Sequence, residues 1–209
     1  LCVASDGKVD VTMSKMHLLA CDNSSAKVGP DGGCGGGELD NVWLWIAANE
    51  MVPESCQPST GSTGGSVDSC GATCKDGKRP RAYHAKKGSA YSPVTDWKRA
   101  AQQMQADILA HGPLEVGMWE FDGFQSYTGG IYARPPESTT MLGGHAVTIV
   151  GWGTENATDY WTVQNTYGKD WGEDGYFRIV RGVNAVGIED QAVSAKIVVP
   201  SADATVEVA

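Results

Sequence analysis

The sequence of 209 residues lacks any cysteine after Cys74, any extended block of lysine or arginine, and any long apolar run. A membrane-spanning helix needs about 20 consecutive, mostly apolar residues, so none is predicted. The formal charge of −9 and the absence of a basic patch argue against a nucleic-acid partner. We therefore expect neither a membrane nor a nucleic acid as a partner.

The composition of 41% hydrophobic and 20% charged residues is ordinary for a globular protein and argues against disorder. The glycine-rich stretch at 22–38 superficially resembles a phosphate-binding loop. No strand is predicted before it, however, and no Gly-Lys-Ser/Thr follows it. We therefore interpret it as a loop.

Six cysteines are confined to the first part of the chain, at Cys2, Cys21, Cys34, Cys56, Cys70 and Cys74. This distribution favours a disulfide-stapled N-terminal part joined to a C-terminal part that is stable without disulfides. The CxxxC spacing at 70–74 is the alternative, but no second pair completes four zinc ligands, so we expect no metal and no cofactor. The triplets that begin at Asn23 and Asn156 are candidate glycosylation sites and agree with a secretory route.

The spacing of apolar residues predicts short helices within 13–21, 38–51 and 96–113, with Ser14 as an N-cap and Gly112-Pro113 as a stop. From residue 114 the chain changes to short β-branched and aromatic runs separated by turns, which are typical of strands. We predict an α+β fold with a partial, helical, disulfide-rich lobe at 1–92, a β-rich lobe at 93–200 and a tail at 201–209.

His145 is the one histidine whose surroundings suggest chemistry, because it follows two glycines and Asn165 ends an apolar strand twenty residues later. Glycine allows the backbone to lie close to another chain or a ligand. The other three histidines, at positions 17, 84 and 111, are interpreted as packed core residues.

The chain resembles the papain family of cysteine proteases, and in particular its cathepsin B-like group. The matching segments are GCGGG, HGPLEVGM, SYTGGIYA, GGHAVTIVGWG, YWTVQNTYG, WGEDGYFRIVRG and GIEDQAV, in that order from residue 33 to 193. YTGGIYA, which lies within one of these segments, and SCGATC at 69–74 are also similar to cathepsin X. The resemblance implies a two-lobed papain-like fold, with a helical left lobe and a β-barrel-like right lobe.

By this resemblance His145 is the imidazole that takes a proton from a cysteine thiol, and Asn165 orients it. The resemblance also implies substrate contacts at Gly36, Gly37, Gly144, Ala146, Tyr167 and Gln191, and a structural role for Trp171. Peptides and proteins are then the substrates. The implied location is lysosomal, vacuolar or secreted.

Two residues depart from the family pattern. The family's Asn-Ser-Trp is Asn165-Thr166-Tyr167 here, and the hydroxyl of Tyr167 puts the preference on the leaving-group side in question. Gln191 stands where cathepsin B has a glutamate in the pocket for the second substrate residue. A neutral amide forms no ion pair with arginine, so apolar residues are expected in that pocket.

The family's nucleophile lies in Cys-Gly-Ser-Cys-Trp, and this motif does not occur in the sequence. Cys2 lies 143 residues before His145 but lacks the surrounding glycines and tryptophan. We expect the nucleophile on an N-terminal segment or light chain of the same precursor, outside these residues. The resemblance pairs Cys21 with Cys70 and Cys56 with Cys74, and leaves Cys2 and Cys34 to bond with that segment.

Two further expectations concern the kind of activity. The interval between Cys56 and Cys70 has no histidine, lysine or arginine to hold a substrate's terminal carboxylate, which favours an endopeptidase. The rival hypothesis is an inactive homologue that serves as a binding or scaffold protein, and Tyr167 in place of tryptophan favours it.

Overall fold

The computed structural model describes residues 5–22, 36–58, 70, 73–74, 76–78 and 81–199. The chain divides into two compact units, one formed by Leu1–Ala90 with Ala195–Ala209 and the other by Tyr91–Ser194. The division predicted from the sequence assigned 195–200 to the second part, whereas the contacts group this segment with the first. The predicted tail at 201–209, Cys2, Cys34 and Asn23 lie outside the described residues.

The described residues of the first unit form two α-helices and one small sheet. Helix α1 spans Lys15–Cys21, and the hydroxyl of Ser14 caps it by accepting a hydrogen bond from the backbone N–H of His17 at 2.9 Å. Helix α2 spans Leu39–Ala48. Strands β1 (His84–Ala85) and β8 (Ile197–Val198) pair antiparallel.

Two disulfides lie in the first unit, Cys21–Cys70 and Cys56–Cys74. They are the two pairings that the family resemblance implied. The first closes a loop with a sequence separation of 49 residues. Closure of a loop of this length lowers the entropy of the unfolded chain and stabilises the fold by about 4 kcal/mol.

The second unit packs helix α3, Ala100–His111, against a six-stranded sheet. Gly112 ends the helix with a φ of +98°, a conformation that residues with side chains rarely adopt. The strands are β2 (Leu114–Phe121), β3 (Ile131–Tyr132), β4 (Met141–Glu155), β5 (Thr158–Gln164), β6 (Tyr176–Val180) and β7 (Gln191–Val193).

The sheet has the strand order β3-β6-β5-β4-β2-β7 and is open within the described residues, because its edge strands do not pair with each other. Only β3 and β6 run parallel. The α+β class is therefore confirmed, but the barrel-like closure expected of this lobe is replaced by an open sheet. No helix in the described ranges is both long and apolar enough to cross a bilayer.

The register of β2 and β4 determines which side chains face the core. Leu114 pairs with Ile149, Val116 with Val147 and Met118 with His145. All of these apolar partners are buried, and His145 is half-buried at the end of the row. His145 therefore lies at the end of the row of buried apolar side chains that β2 and β4 share.

Candidate active site

His145 and Asn165 form a hydrogen-bonded pair in the second unit. The distance from Nε2 of His145 to Oδ1 of Asn165 is 2.8 Å, and the same oxygen accepts the backbone N–H of Thr166 at 2.8 Å. An amide oxygen only accepts hydrogen bonds, so Nε2 of His145 is the donor. In a neutral imidazole Nδ1 is then the unprotonated nitrogen, the atom that can take a proton.

Asn165 is held from several sides, as expected of a residue that orients another. It follows β5 directly, and its backbone N–H donates to the carbonyl oxygen of Gly175 at 3.0 Å. Only 8% of the residue is exposed. Its Nδ2 has no hydrogen-bond partner among the described residues. The backbone therefore fixes the amide, and the amide fixes the tautomer and the orientation of the imidazole.

The ring of Tyr167 lies against the imidazole, with ring centroids 5.2 Å apart and planes tilted by 31°. Its hydroxyl donates to Oε2 of Glu120 at 2.7 Å, and Oε1 of Glu120 accepts from Nε2 of Gln125 at 2.8 Å. Burial of the phenol, followed by the hydrogen bond to Glu120, raises the pKa of Tyr167 above its ordinary value. The hydroxyl therefore stays protonated and remains a donor.

A cluster of aromatic side chains packs around the His145–Asn165 pair. The fully buried Phe124 lies 6.5 Å from the rings of both His145 and Tyr167, measured between centroids, and 5.2 Å from Trp171. The indole N–H of Trp171 donates to the backbone oxygen of Gln125 at 2.8 Å. The edge-to-face and tilted contacts are typical of packed aromatic rings, so Trp171 has the packing contacts expected of a structural residue.

Three of the predicted substrate contacts lie on the opposite face of the sheet. Ala146 and Gln191 both pair with Gly117, one on each side of it, and both are exposed. A side chain at position 117 would meet Oε1 of Gln191 at 2.7 Å, so the amide of Gln191 lies across the backbone of Gly117. Gly144 lies beside the ring of Trp119, which is 46% exposed.

The other predicted residues are distributed as follows. Gly36 and Gly37 are exposed and precede α2 in the first unit. Asn156 is exposed in the turn between β4 and β5. His17 is buried as expected and His84 is half-buried, but His111 is exposed at the end of α3, so its assignment to the core was wrong. Within the described ranges, no three His, Cys, Asp or Glu side chains could hold a metal ion together.

Sequence reasoning missed Glu120, Gln125 and Trp119. Glu120 occupies a core-facing position of β2, two residues after Met118, where alternation predicts an apolar side chain. A carboxylate at such a position is a signal in itself, because an ionised group is buried only where partners compensate its lost hydration.

Comparison with known proteins identifies the family to which the chain belongs. Residues 1–196 match the family described as "Papain family cysteine protease". The chain is 34% identical to "Cathepsin B-like cysteine proteinase 5" of Caenorhabditis elegans, covering 92% of this chain and 62% of the relative. It is also 34% identical to "Cathepsin B-like CP2" of Giardia intestinalis, covering 91% of this chain and 60% of the relative.

Solved structures of procathepsins are also similar to this chain. The structure titled "proCathepsin B S9 from Trypanosoma congolense" matches with a TM-score of 0.81 at 28% identity, covering 95% of this chain and 64% of that one. "Structure of digestive procathepsin L 3 of Tenebrio molitor larval midgut" matches with a TM-score of 0.71 at 26% identity, covering 93% of this chain and 58% of that one.

The chain belongs to the papain family of cysteine proteases. Its similarity is to the cathepsin B-like group of that family. The chain spans about three-fifths of the length of the curated relatives it matches.

Proposed function

We propose that this chain supplies the catalytic histidine and asparagine of a cysteine endopeptidase. The observation that carries the proposal is the hydrogen bond from Nε2 of His145 to Oδ1 of Asn165. Because this bond uses Nε2, it leaves Nδ1 of the imidazole available to exchange a proton. Family membership adds the reaction class, attack of a thiolate on a peptide carbonyl.

In this mechanism Nδ1 of His145 takes the proton of the cysteine thiol, and the sulfur attacks the carbonyl carbon of the peptide bond. The same proton is then donated to the leaving amine, which produces a thioester. Water attacks the thioester carbonyl and gives a proton to Nδ1. The C–S bond breaks, the carboxylic acid product is released, and the departing sulfur takes the proton back from Nδ1, which restores the starting state. Asn165 keeps the ring oriented throughout, without transferring a proton itself.

The thiol is proposed to lie on an N-terminal segment or light chain outside the 209 residues. The four cysteines that the structure describes are all consumed in two disulfides. Neither Cys2 nor Cys34 stands in a Cys-Gly-Ser-Cys-Trp sequence. Both are free, in this proposal, to bond with the segment that carries the nucleophile.

The substrate is proposed to be an extended peptide. In the second unit, Gly144 and Ala146 present a small-residue strand on the face that also carries Gln191. Gly36 and Gly37, in the first unit, are proposed as substrate contacts from the family resemblance alone. Tyr167 borders the leaving-group side. The short, almost uncharged interval between Cys56 and Cys70 favours an endopeptidase, since it offers no cation for a terminal carboxylate.

The location proposed for the protein is lysosomal, vacuolar or secreted. Disulfides form and persist along the secretory route, and two lie among the described residues of the first unit. Asn156 is exposed in a hairpin turn, where a glycan would not disturb the core.

The rival function is that of an inactive homologue with a binding or scaffold role. The observation in its favour is Tyr167, which replaces the family's tryptophan. A scaffold would not require the His145–Asn165 bond, however, and the phenol ring packs against that pair rather than disrupting it. We therefore favour the enzyme.

The test treats the full-length natural protein with an electrophilic epoxide. Disulfides are then assigned by peptide mapping without reduction, and the label is located by intact-mass analysis and peptide mapping after reduction. The proposal predicts one label, on a cysteine outside the 209 residues, and disulfides that join Cys2 and Cys34 to that part. A disulfide between Cys2 and Cys34, together with the absence of any label, would support the scaffold instead.

Endopeptidase action is tested with an internally quenched peptide whose two ends are blocked, compared with the same peptide bearing a free C-terminus. The proposal predicts similar kcat/KM values for both. Much faster cleavage of the free-carboxylate peptide would contradict the endopeptidase assignment and leave the peptidase assignment intact.

A further inference from the structure

Glu120 has a buried carboxyl group, and its hydrogen-bond partners in the described part of the chain are neutral. It is 8% exposed, and its two oxygens accept hydrogen bonds from the hydroxyl of Tyr167 and the amide of Gln125. No lysine, arginine or histidine of the described ranges forms an ion pair with it. Burial of a carboxylate costs free energy because the group loses its hydration, so packing alone does not account for Glu120 at this position.

The register of β2 and β4 places Glu120 next to His145. On β2 its side chain follows Met118 on the core-facing side, and Met118 is the cross-strand partner of His145. Glu120 itself pairs with Gly143, so it is the diagonal neighbour of His145 on the same face of the sheet. Gly143 has no side chain that could fill the space between them.

Tyr167 connects the carboxylate to the imidazole. One end of the phenol is held by Glu120 at 2.7 Å, and its ring lies 5.2 Å from the ring of His145. The residue is 38% exposed, so packing alone does not enclose it. The hydrogen bond to Glu120 therefore acts together with the ring contacts to Phe124 and Trp171 in fixing where the ring lies, and the ring covers one side of the imidazole.

We propose that Glu120 is a positioning residue that holds Tyr167 against the His145–Asn165 pair. The tyrosine keeps the imidazole in place and excludes water from the bond between Nε2 and Asn165. Glu120 thereby allows a tyrosine, with its additional hydroxyl, to occupy this position. The inference rests on the proposed peptidase function for its consequence in turnover, but the geometry it concerns is independent of turnover.

The test measures two quantities on the full-length protein. The first is the exchange rate of the His145 Nε2 proton with water, observed by NMR of the labelled imidazole, which requires no activity. The second is kcat against KM for a peptide substrate. The variants are Glu120→Ala, Glu120→Gln, Tyr167→Phe and the double variant Glu120→Ala/Tyr167→Phe.

Glu120→Ala and Tyr167→Phe should each speed proton exchange and lower kcat by about three- to tenfold, the effect of one ordinary hydrogen bond, with little change in KM. The double variant should lose no more than either single variant, because both remove the same interaction. Glu120→Gln should retain most of the wild-type behaviour, since its amide oxygen still accepts from the phenol.

Tyr132→Phe is the matched control. Its hydroxyl is buried without a hydrogen-bond partner among the described residues, and its ring also packs on Phe124, at 5.2 Å. It should leave both quantities unchanged. Wild-type exchange in Tyr167→Phe and Glu120→Ala, or an equal change in Tyr132→Phe, overturns the proposal. Faster exchange in a protein without peptidase activity would uphold the positioning and refute the proposed function.

Discussion

Some polar side chains of this protein are buried rather than exposed to solvent, and His17 is one of them. It is the most buried of the four histidines. It is 6% exposed, its ring lies 6.0 Å from that of Trp45, and its Nδ1 has no partner among the described residues. Burial lowers the pKa of His17 from 6.5, because the charged form loses its hydration.

This shift predicts a pH dependence of stability. Below pH 6.5 the unfolded chain binds a proton at His17 that the folded chain binds only at lower pH. The free energy of unfolding should therefore fall as the pH falls from 6.5 towards the folded pKa. His17→Phe keeps a ring against Trp45 and removes the titration, so urea unfolding should show a shallower loss in this window. An unchanged slope would exclude His17 as the cause.

Gln191 offers a second test at the residue scale. It is exposed on the face that carries Ala146 and lies across Gly117. Gln191→Glu places a carboxylate there, so kcat/KM for peptides with arginine at the second substrate residue should rise about two- to tenfold. Gln191→Ala is the control and should not favour arginine. Equal effects of both substitutions on all peptides would remove Gln191 from the substrate pocket.

At the scale of elements, the turn between β4 and β5 contains strain that a substitution can relieve. Asn156 and Ala157 both have positive φ, at +49° and +61°. A two-residue hairpin loop with two positive φ values is a type I′ turn, which favours Asn-Gly. Asparagine adopts this conformation at little cost, whereas alanine is strained in it.

Ala157→Gly should therefore raise the free energy of unfolding by about 0.5–1 kcal/mol. Ala106→Gly is the matched control, since Ala106 is exposed in the middle of α3, and it should lower the free energy of unfolding by about 0.5–1 kcal/mol. Denaturant unfolding measures both. A loss of stability in both variants would show that the turn is not strained at Ala157.

The elements that could be predicted from sequence are those with local signals. Ser14 marked the start of α1 and Gly112 marked the end of α3. Strands β2 to β6 were anticipated as β-branched and aromatic runs. Strands β1, β7 and β8 have only two or three residues each, which is too short to show an alternation of apolar and polar residues. They form by pairing with segments far away in the sequence, as His84 pairs with Val198.

Residue roles within elements were harder to predict. The apolar spacing of α2 places Val42 and Trp43 on one face and predicts that the tryptophans of this helix pack in a core. The structure buries Trp45 but leaves Val42 and Trp43 half-buried. The resemblance supplied His145 and Asn165. It could not supply Glu120, because the carboxylate is tied to a tyrosine that is itself a departure from the family pattern.

At the scale of the whole molecule, the candidate pair lies entirely within the unit Tyr91–Ser194, and both disulfides lie within the other unit. The His145–Asn165 geometry is maintained by the sheet register and the aromatic cluster of its own unit. Reduction of the disulfides should therefore affect the first unit before it affects the hydrogen bond between His145 and Asn165.

The central claim is that His145 transfers protons and Asn165 orients it, and kcat/KM of the full-length protein tests it most directly. On an internally quenched peptide, His145→Ala should lower kcat/KM by about 10²- to 10⁴-fold, the usual contribution of a general acid–base. Asn165→Ala should lower it by about tenfold, the loss of one orienting hydrogen bond. Equal and mild losses from both variants, with near-UV circular dichroism unchanged, would contradict the assignment.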